Sequence, residues 1–239
     1  MTEAETKSEF SVGLSIGSSQ TKIVVGTAHI DSNDILSGFS SHGGYDFGDS
    51  DNPELNRHTG RSFHILAAAE SSHNGVRRGN IVDLESVSQS IREVVDEVER
   101  QSGLEIDQVR VSLASTNAIS ENFTESLALN STEVREADRE KLLGLARAHG
   151  VQPGLEQIAT LTGHFIVDGR PGILNPVGMY GNSLGGLFHR IAVPEAEIQN
   201  LIRAVNKTGL RVESFAFEAL AAAEATLDSD EREMGSVCI

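Results

Sequence analysis

The sequence predicts an α/β chain in which a small α+β module interrupts a larger unit. Three observations carry this. Val12, Leu14 and Ile16 alternate with small residues, and Ile23, Val24 and Val25 begin a second β-branched run, so two strands flank a tight Gly/Ser turn. A third strand at 63–69, a helix after Asp83 and a strand at 107–114 complete a β-β-β-α-β order. That order sets the first turn at one end of a mixed sheet with a helix across it. From Ile119 the pattern restarts with strands and a helix of its own, before a strand at 187–193 leads back.

Each element has a local cause. Asp31, Ser32, Asn33 and Asp34 read as a turn, and residues 40–62, rich in Gly, Asp, Asn, Ser and His, read as a long surface insertion. Residues 75–79 (Gly-Val-Arg-Arg-Gly) form a basic loop in an acidic chain. Asp83 is placed to cap a helix whose Val87, Ile91, Val94, Val95 and Val98 share one face and which Gly103 ends. Val109, Val111 and Leu113 alternate as a buried strand. In the module, a strand at 125–129 precedes a helix from about Ala137 to Gly150, with Leu142, Leu145 and Ala146 inward. Leu127 and Leu129 are expected to join that core. A strand region at 158–167 follows, with Asp168 in a turn role beside Gly169, and then a turn at 175–178. A helix is expected to begin near Pro194, burying Ile198, Leu201, Ile202 and Val205 and stopping at Gly209. A strand at 210–217, an alanine-rich helix at 218–227 and a strand just beginning at 236–239 complete the pattern.

Bulk properties narrow the function classes. The chain has 239 residues, 38% hydrophobic and 23% charged, enough for a sizeable core. Its formal net charge of −16 argues against nucleic acid, whose phosphates call for clustered Lys and Arg, and against purely electrostatic docking on anionic lipid. The single cysteine, Cys238, excludes an internal disulfide and a cysteine-cluster zinc site. Residues 1–10 are an acidic polar tail without an apolar signal core, and no run of about eighteen apolar residues occurs. A cytoplasmic setting is expected.

The stretch with chemistry in it is the first turn. Gly17, lacking a Cβ, lets the backbone approach a ligand closely, and successive N–H groups in such a turn make a concave anion site. Ser18 and Ser19 add hydroxyls, and Lys22 on the next strand can reach a phosphate as a point charge.

In combination these motifs resemble the FtsA family of cell-division proteins, members of the actin-like ATPase superfamily. Residues 13–22 (Gly-Leu-Ser-Ile-Gly-Ser-Ser-Gln-Thr-Lys) are similar to the family's first phosphate loop, G-L-D-I-G-T-S-K-x-K. Residues 75–84 are similar to G-x-x-K-G-x-x-x-D/N-L at the start of the following helix. Ile119 and Asn122 fall at family positions of the inserted subdomain, and residues 175–179 (Asn-Pro-Val-Gly-Met) match N-P-V-G-L/M. Residues 207–212 and the alanine-rich helix also fit.

The resemblance implies an actin-like (ribonuclease H-like) subdomain 1A at 11–117 and 186–239, and an inserted small α+β subdomain 1C at 118–185. It implies ATP with Mg²⁺ at Gly17, Ser18, Ser19 and Lys22, self-association into filaments, and linkage of FtsZ to the inner membrane. It also implies contacts of 1C with late divisome proteins such as FtsN, and at most weak ATPase activity. Family members continue the last strand into D-I-G-G-G, so the chain reads as an N-terminal half. FtsZ binding and membrane attachment would then reside in segments this chain lacks.

There are departures. Ser15 stands where the family has the Asp that orients hydrated Mg²⁺, and a hydroxyl cannot supply that charge. Gln20 replaces a Lys, Glu125 a common Gly, and residues 162–165 (Thr-Gly-His-Phe) replace P-Q-E-Y. The alternatives are a sugar kinase sharing the phosphate hairpin, for which no carboxylate base is evident, and a degenerate scaffold that binds no nucleotide. The eight histidines show no i, i+4 pair with an acidic partner, and His42, His58 and His73 are expected to be solvated in polar loops.

Overall fold

A computed structural model describes residues 10–29, 62–227, 231 and 234–237. The turn at 31–34, Cys238, and most of the tail at 1–10 and of the insertion at 40–62 lie outside the described residues; only Phe10 and Ser62 fall inside. The elements run β1 (Phe10–Ile16), β2 (Gln20–His29), β3 (Ser62–Ser72), β4 (Val76–Arg77), β5 (Asn80–Ile81), α1 (Leu84–Ser102) and β6 (Gln108–Leu113). Then come β7 (Ile119–Ala128), α2 (Glu136–Arg147), β8 (Leu155–Val167), β9 (Arg170–Ile173), β10 (Ser183–Pro194), α3 (Glu195–Asn206), β11 (Arg211–Phe217) and α4 (Glu218–Thr226).

Two compact units emerge, the second spanning 117–195 and the first lying on either side of it in sequence. The first is built on a five-stranded sheet of order β11-β6-β1-β2-β3. The β1-β2 and β2-β3 pairs are antiparallel, whereas β6 is parallel to both β1 and β11. Alternation in β1, β2 and β6 sends Val12, Leu14, Ile23, Val25, Val109, Val111 and Leu113 to a buried face. Against β2 and β3 packs α1, whose Val87, Ile91, Val94 and Val98 are all at most 1% exposed. Burying each such side chain contributes about 1.5–3 kcal/mol. Asp83 caps α1 as expected, accepting from the N–H groups of Glu85 (3.0 Å) and Ser86 (3.1 Å), and Gly103 ends it at φ +71°. The Ser88 hydroxyl donates to the Ala204 carbonyl at 3.1 Å and ties α1 to α3.

The second unit is a four-stranded antiparallel sheet of order β7-β10-β8-β9, with α2 packed on β7 and β10. Its core joins Val134, Leu142, Leu143, Ala146, Phe165, Val167, Leu184 and Phe188. Gly186 is obligatory there, because a Cβ would sit 2.7 Å from the Phe188 ring. Asp168 and Gly169, with φ of +46° and +77°, make the two-residue turn from β8 to β9. The Asp168 carboxylate accepts from the N–H groups of Asn182 and Ser183, both at 2.9 Å, and these bonds hold it below the usual carboxylate range.

Several expectations are corrected. The return expected at 186 falls inside β10, which hydrogen-bonds to β7 on one edge and β8 on the other and so stays with the second unit. Leu145 is 40% exposed, and Leu143, two residues earlier and on the other side of the helix, is buried instead. Helix α2 stops at Arg147 rather than Gly150, and Pro194 is the last residue of β10, with α3 starting at Glu195. The strand at 125–129 is longer than expected, starting at Ile119. Residues 236 and 237 form no strand.

Candidate phosphate-binding turn

The turn between β1 and β2 consists of Gly17, Ser18 and Ser19, with both serines exposed. The Gly17 N–H donates to the Gln20 carbonyl at 2.9 Å, which closes the bend. That donor is therefore committed, and the anion site expected from successive N–H groups rests on Ser18 and Ser19. Gly17 has no room for a side chain without adjustment, since a Cβ would lie 3.2 Å from the Gln20 carbonyl oxygen.

Beneath the turn, Ser15 sits opposite Lys22 on β2 and beside Ser112 on β6. Lys22 is exposed and in register with Glu70 of β3, so an acid flanks the cation on the side away from Ser15. The Ser112 Oγ is buried and without a hydrogen-bond partner. Two serines, the turn and one lysine thus lie at the same end of the sheet. This donor set fits a phosphate. It does not fit a magnesium ion, because position 15 supplies no carboxylate and the orphaned hydroxyl beside it has nothing anionic to serve.

One neighbour was not legible in the sequence. His73, expected to be solvated, lies against the turn: its backbone N–H donates to the Ser19 carbonyl at 2.9 Å, and its ring Nδ1 accepts from the Gly75 N–H at 3.2 Å. Its Nε2 is buried and has no partner within hydrogen-bonding distance. Burial holds the imidazole below its ordinary pKa, with a smaller opposing pull from the Gln20 backbone. Nothing in the residue pattern separates a histidine just past a strand from an exposed one. The basic loop at 75–79 also gains a shape, since β4 and β5 pair as a short hairpin on Arg78 and Gly79. Among the described residues, no group of three or more His, Cys, Asp or Glu could hold a metal ion.

A sheet ordered 3-2-1-4-5, with its second strand reversed, a hydroxyl-lined bend after the first, and a separate α+β unit spliced in after the fourth, defines an actin-like (ribonuclease H-like) fold with an inserted subdomain. Comparison with known proteins then narrows the class. Residues 116–192 match the family described as "SHS2 domain inserted in FTSA". The chain is 34% identical over 177 residues to cell division protein FtsA of Borreliella burgdorferi, covering 73% of this chain and 43% of that protein. It is 30% identical over 175 residues to cell division protein FtsA of Pseudomonas aeruginosa, covering 73% and 42%. Among solved structures, a PilM-PilN type IV pilus biogenesis complex aligns at 13% identity and TM-score 0.46 over 90% of this chain and 49% of that one, too loosely to carry an argument. The resemblance read from the motifs stands: the chain is similar to cell division protein FtsA, carries at 116–192 the domain that family inserts, and spans less than half the length of those curated relatives.

Proposed function

We propose that the chain works as a division adaptor through protein contacts, with ATP held at the bend of Gly17, Ser18 and Ser19 and by Lys22. The observation that carries this reading is the pairing of an SHS2 unit with a sheet whose first bend offers hydroxyls and a lysine. In this reading Mg²⁺ is coordinated by phosphate oxygens and water, since Ser15 offers no charge to orient it. The protein self-associates, joins FtsZ to the inner membrane within the intact molecule, and meets late divisome proteins such as FtsN through the second unit. No helix among the described residues is long and apolar enough to cross a membrane. Calorimetric titration with ATP and Mg²⁺, run beside sedimentation velocity, tests it. Saturable binding with nucleotide-dependent association is the expected result. Phosphate transfer to glucose or xylulose would instead make the protein a sugar kinase.

A second reading is favoured by one feature. The hydroxyl at Ser15, next to the unpartnered Ser112, suits a degenerate scaffold that binds no nucleotide. Absence of any heat of ATP binding, with association preserved, would select it.

A further inference from the structure

The hairpin of β4 and β5 turns on Arg78 and Gly79, whose φ angles are +51° and +79°. A two-residue turn with both centres left-handed favours Asn or Asp ahead of Gly, because their short polar side chains tolerate this backbone. An arginine there is strained, and strain that the fold does not require is a pointer to a ligand. Arg77 and Arg78 are both exposed, and neither guanidinium has an ion pair or hydrogen bond among the described residues. In a chain of net charge −16, two unpaired cations side by side stand out from their surroundings.

Their position is fixed from two sides. The Thr116 hydroxyl donates to the Arg78 carbonyl at 3.3 Å, and a Cβ on Gly79 would lie 3.2 Å from the Ala114 carbonyl oxygen. Because β6 runs parallel to β1 with Ser112 beside Ser15, residues 114–116 leave the sheet at the same end as Gly17, Ser18 and Ser19. On the other side, His73 joins the same bend through the Ser19 carbonyl and holds the start of the hairpin through Gly75.

We propose that Arg77 and Arg78 form a cationic second wall of the anion site at 17–19, and that together they take a polyphosphate. The inference rests on the nucleotide reading above and names the residues that supply the positive charge Gln20 does not. The bend's hydroxyls and N–H groups suit one phosphate group, and a planar guanidinium fork matches two oxygens of the next.

The test is calorimetric titration of the full chain with ATP and with inorganic tripolyphosphate, each at low and high salt. The Arg77→Ala/Arg78→Ala double variant should bind both probes at least tenfold more weakly and with a shallower salt dependence. Arg78→Asn gives the turn a residue it favours, so it should raise the unfolding temperature while weakening binding several-fold. A merely structural arginine would not separate the two readouts. Unchanged affinity in either variant overturns the proposal and leaves the nucleotide reading standing. If the unaltered chain binds neither probe, the nucleotide reading falls and takes this inference with it.

Discussion

The Thr21 hydroxyl lies 2.7 Å from the Ser90 hydroxyl, with both residues buried, and this contact pins β2 to α1 just past the turn at 17–19. Ser90 also donates to the Val87 carbonyl at 2.9 Å, so the proton in the shared bond comes from Thr21. The two single substitutions therefore differ. Thr21→Val keeps the shape and leaves Ser90 its own acceptor, costing about 1 kcal/mol. Ser90→Ala strands a fully buried Thr21 donor and should cost about 2 kcal/mol. The double variant should recover part of the sum, and urea denaturation of the four proteins measures that coupling.

His73 should make the bend sensitive to acid. Its folded pKa is depressed by burial, so the protonated ring favours the open form. The stability it lends is complete above the unfolded value of about 6.5 and is lost as pH falls through the lower folded value. Measured against the intrinsic exchange rate, which itself slows as pH falls, the protection of the amides at Gly75 and at residues 17–20 should drop between pH 7 and pH 5. His73→Leu should flatten that profile, and His73→Asn, which retains an acceptor near Nδ1, should keep the segment closed across it. A profile unchanged by His73→Leu would assign the acid sensitivity elsewhere.

In the second unit, Arg190 is buried and donates to the carbonyls of His149 (3.2 Å) and Gly150 (2.7 Å) just past the end of α2. It also pairs with Glu121 and lies 5.2 Å above the Phe123 ring. Glu121 keeps 47% of its side chain in solvent, so Glu121→Gln should cost under about 1 kcal/mol. Arg190→Met leaves two backbone carbonyls without a donor and should cost about 2–3 kcal/mol. Guanidinium denaturation of the two variants gives the ratio.

Much of the fold was written plainly in the chain. Strict alternation at Val12, Leu14 and Ile16, the Asp83 cap and the Gly103 stop each have a local cause, so each could be read locally. What escaped depends on pairing across distance. Strand β10 reads as a run leading into α3, and only its partners β7 and β8 show that it closes the second unit. Leu143 and Leu145 are both apolar in α2, and the position of the sheet decides which one turns inward. The hydroxyls and the lysine of the bend were legible from Gly17 onward. The role of His73 was not, since burial of one ring nitrogen is a property of the packed chain.

Ser15 offers a direct test of what the site lacks. It lies opposite Lys22 and beside the unpartnered Ser112 hydroxyl. A carboxylate placed there would face an ammonium across the strand pair and could accept from Ser112, so Ser15→Asp should fold with stability within about 1 kcal/mol of the unaltered chain. It would also bring the missing negative charge to the end of the sheet, where hydrated Mg²⁺ could be oriented. In the unaltered chain, ATP affinity should change less than threefold on adding Mg²⁺ beyond the amount that saturates the nucleotide. In Ser15→Asp, binding should become Mg²⁺-dependent by tenfold or more, a gain that EDTA abolishes. If Ser15→Asp binds ATP identically with and without Mg²⁺, the bend is not placed against the phosphates, and the nucleotide reading loses its geometric basis.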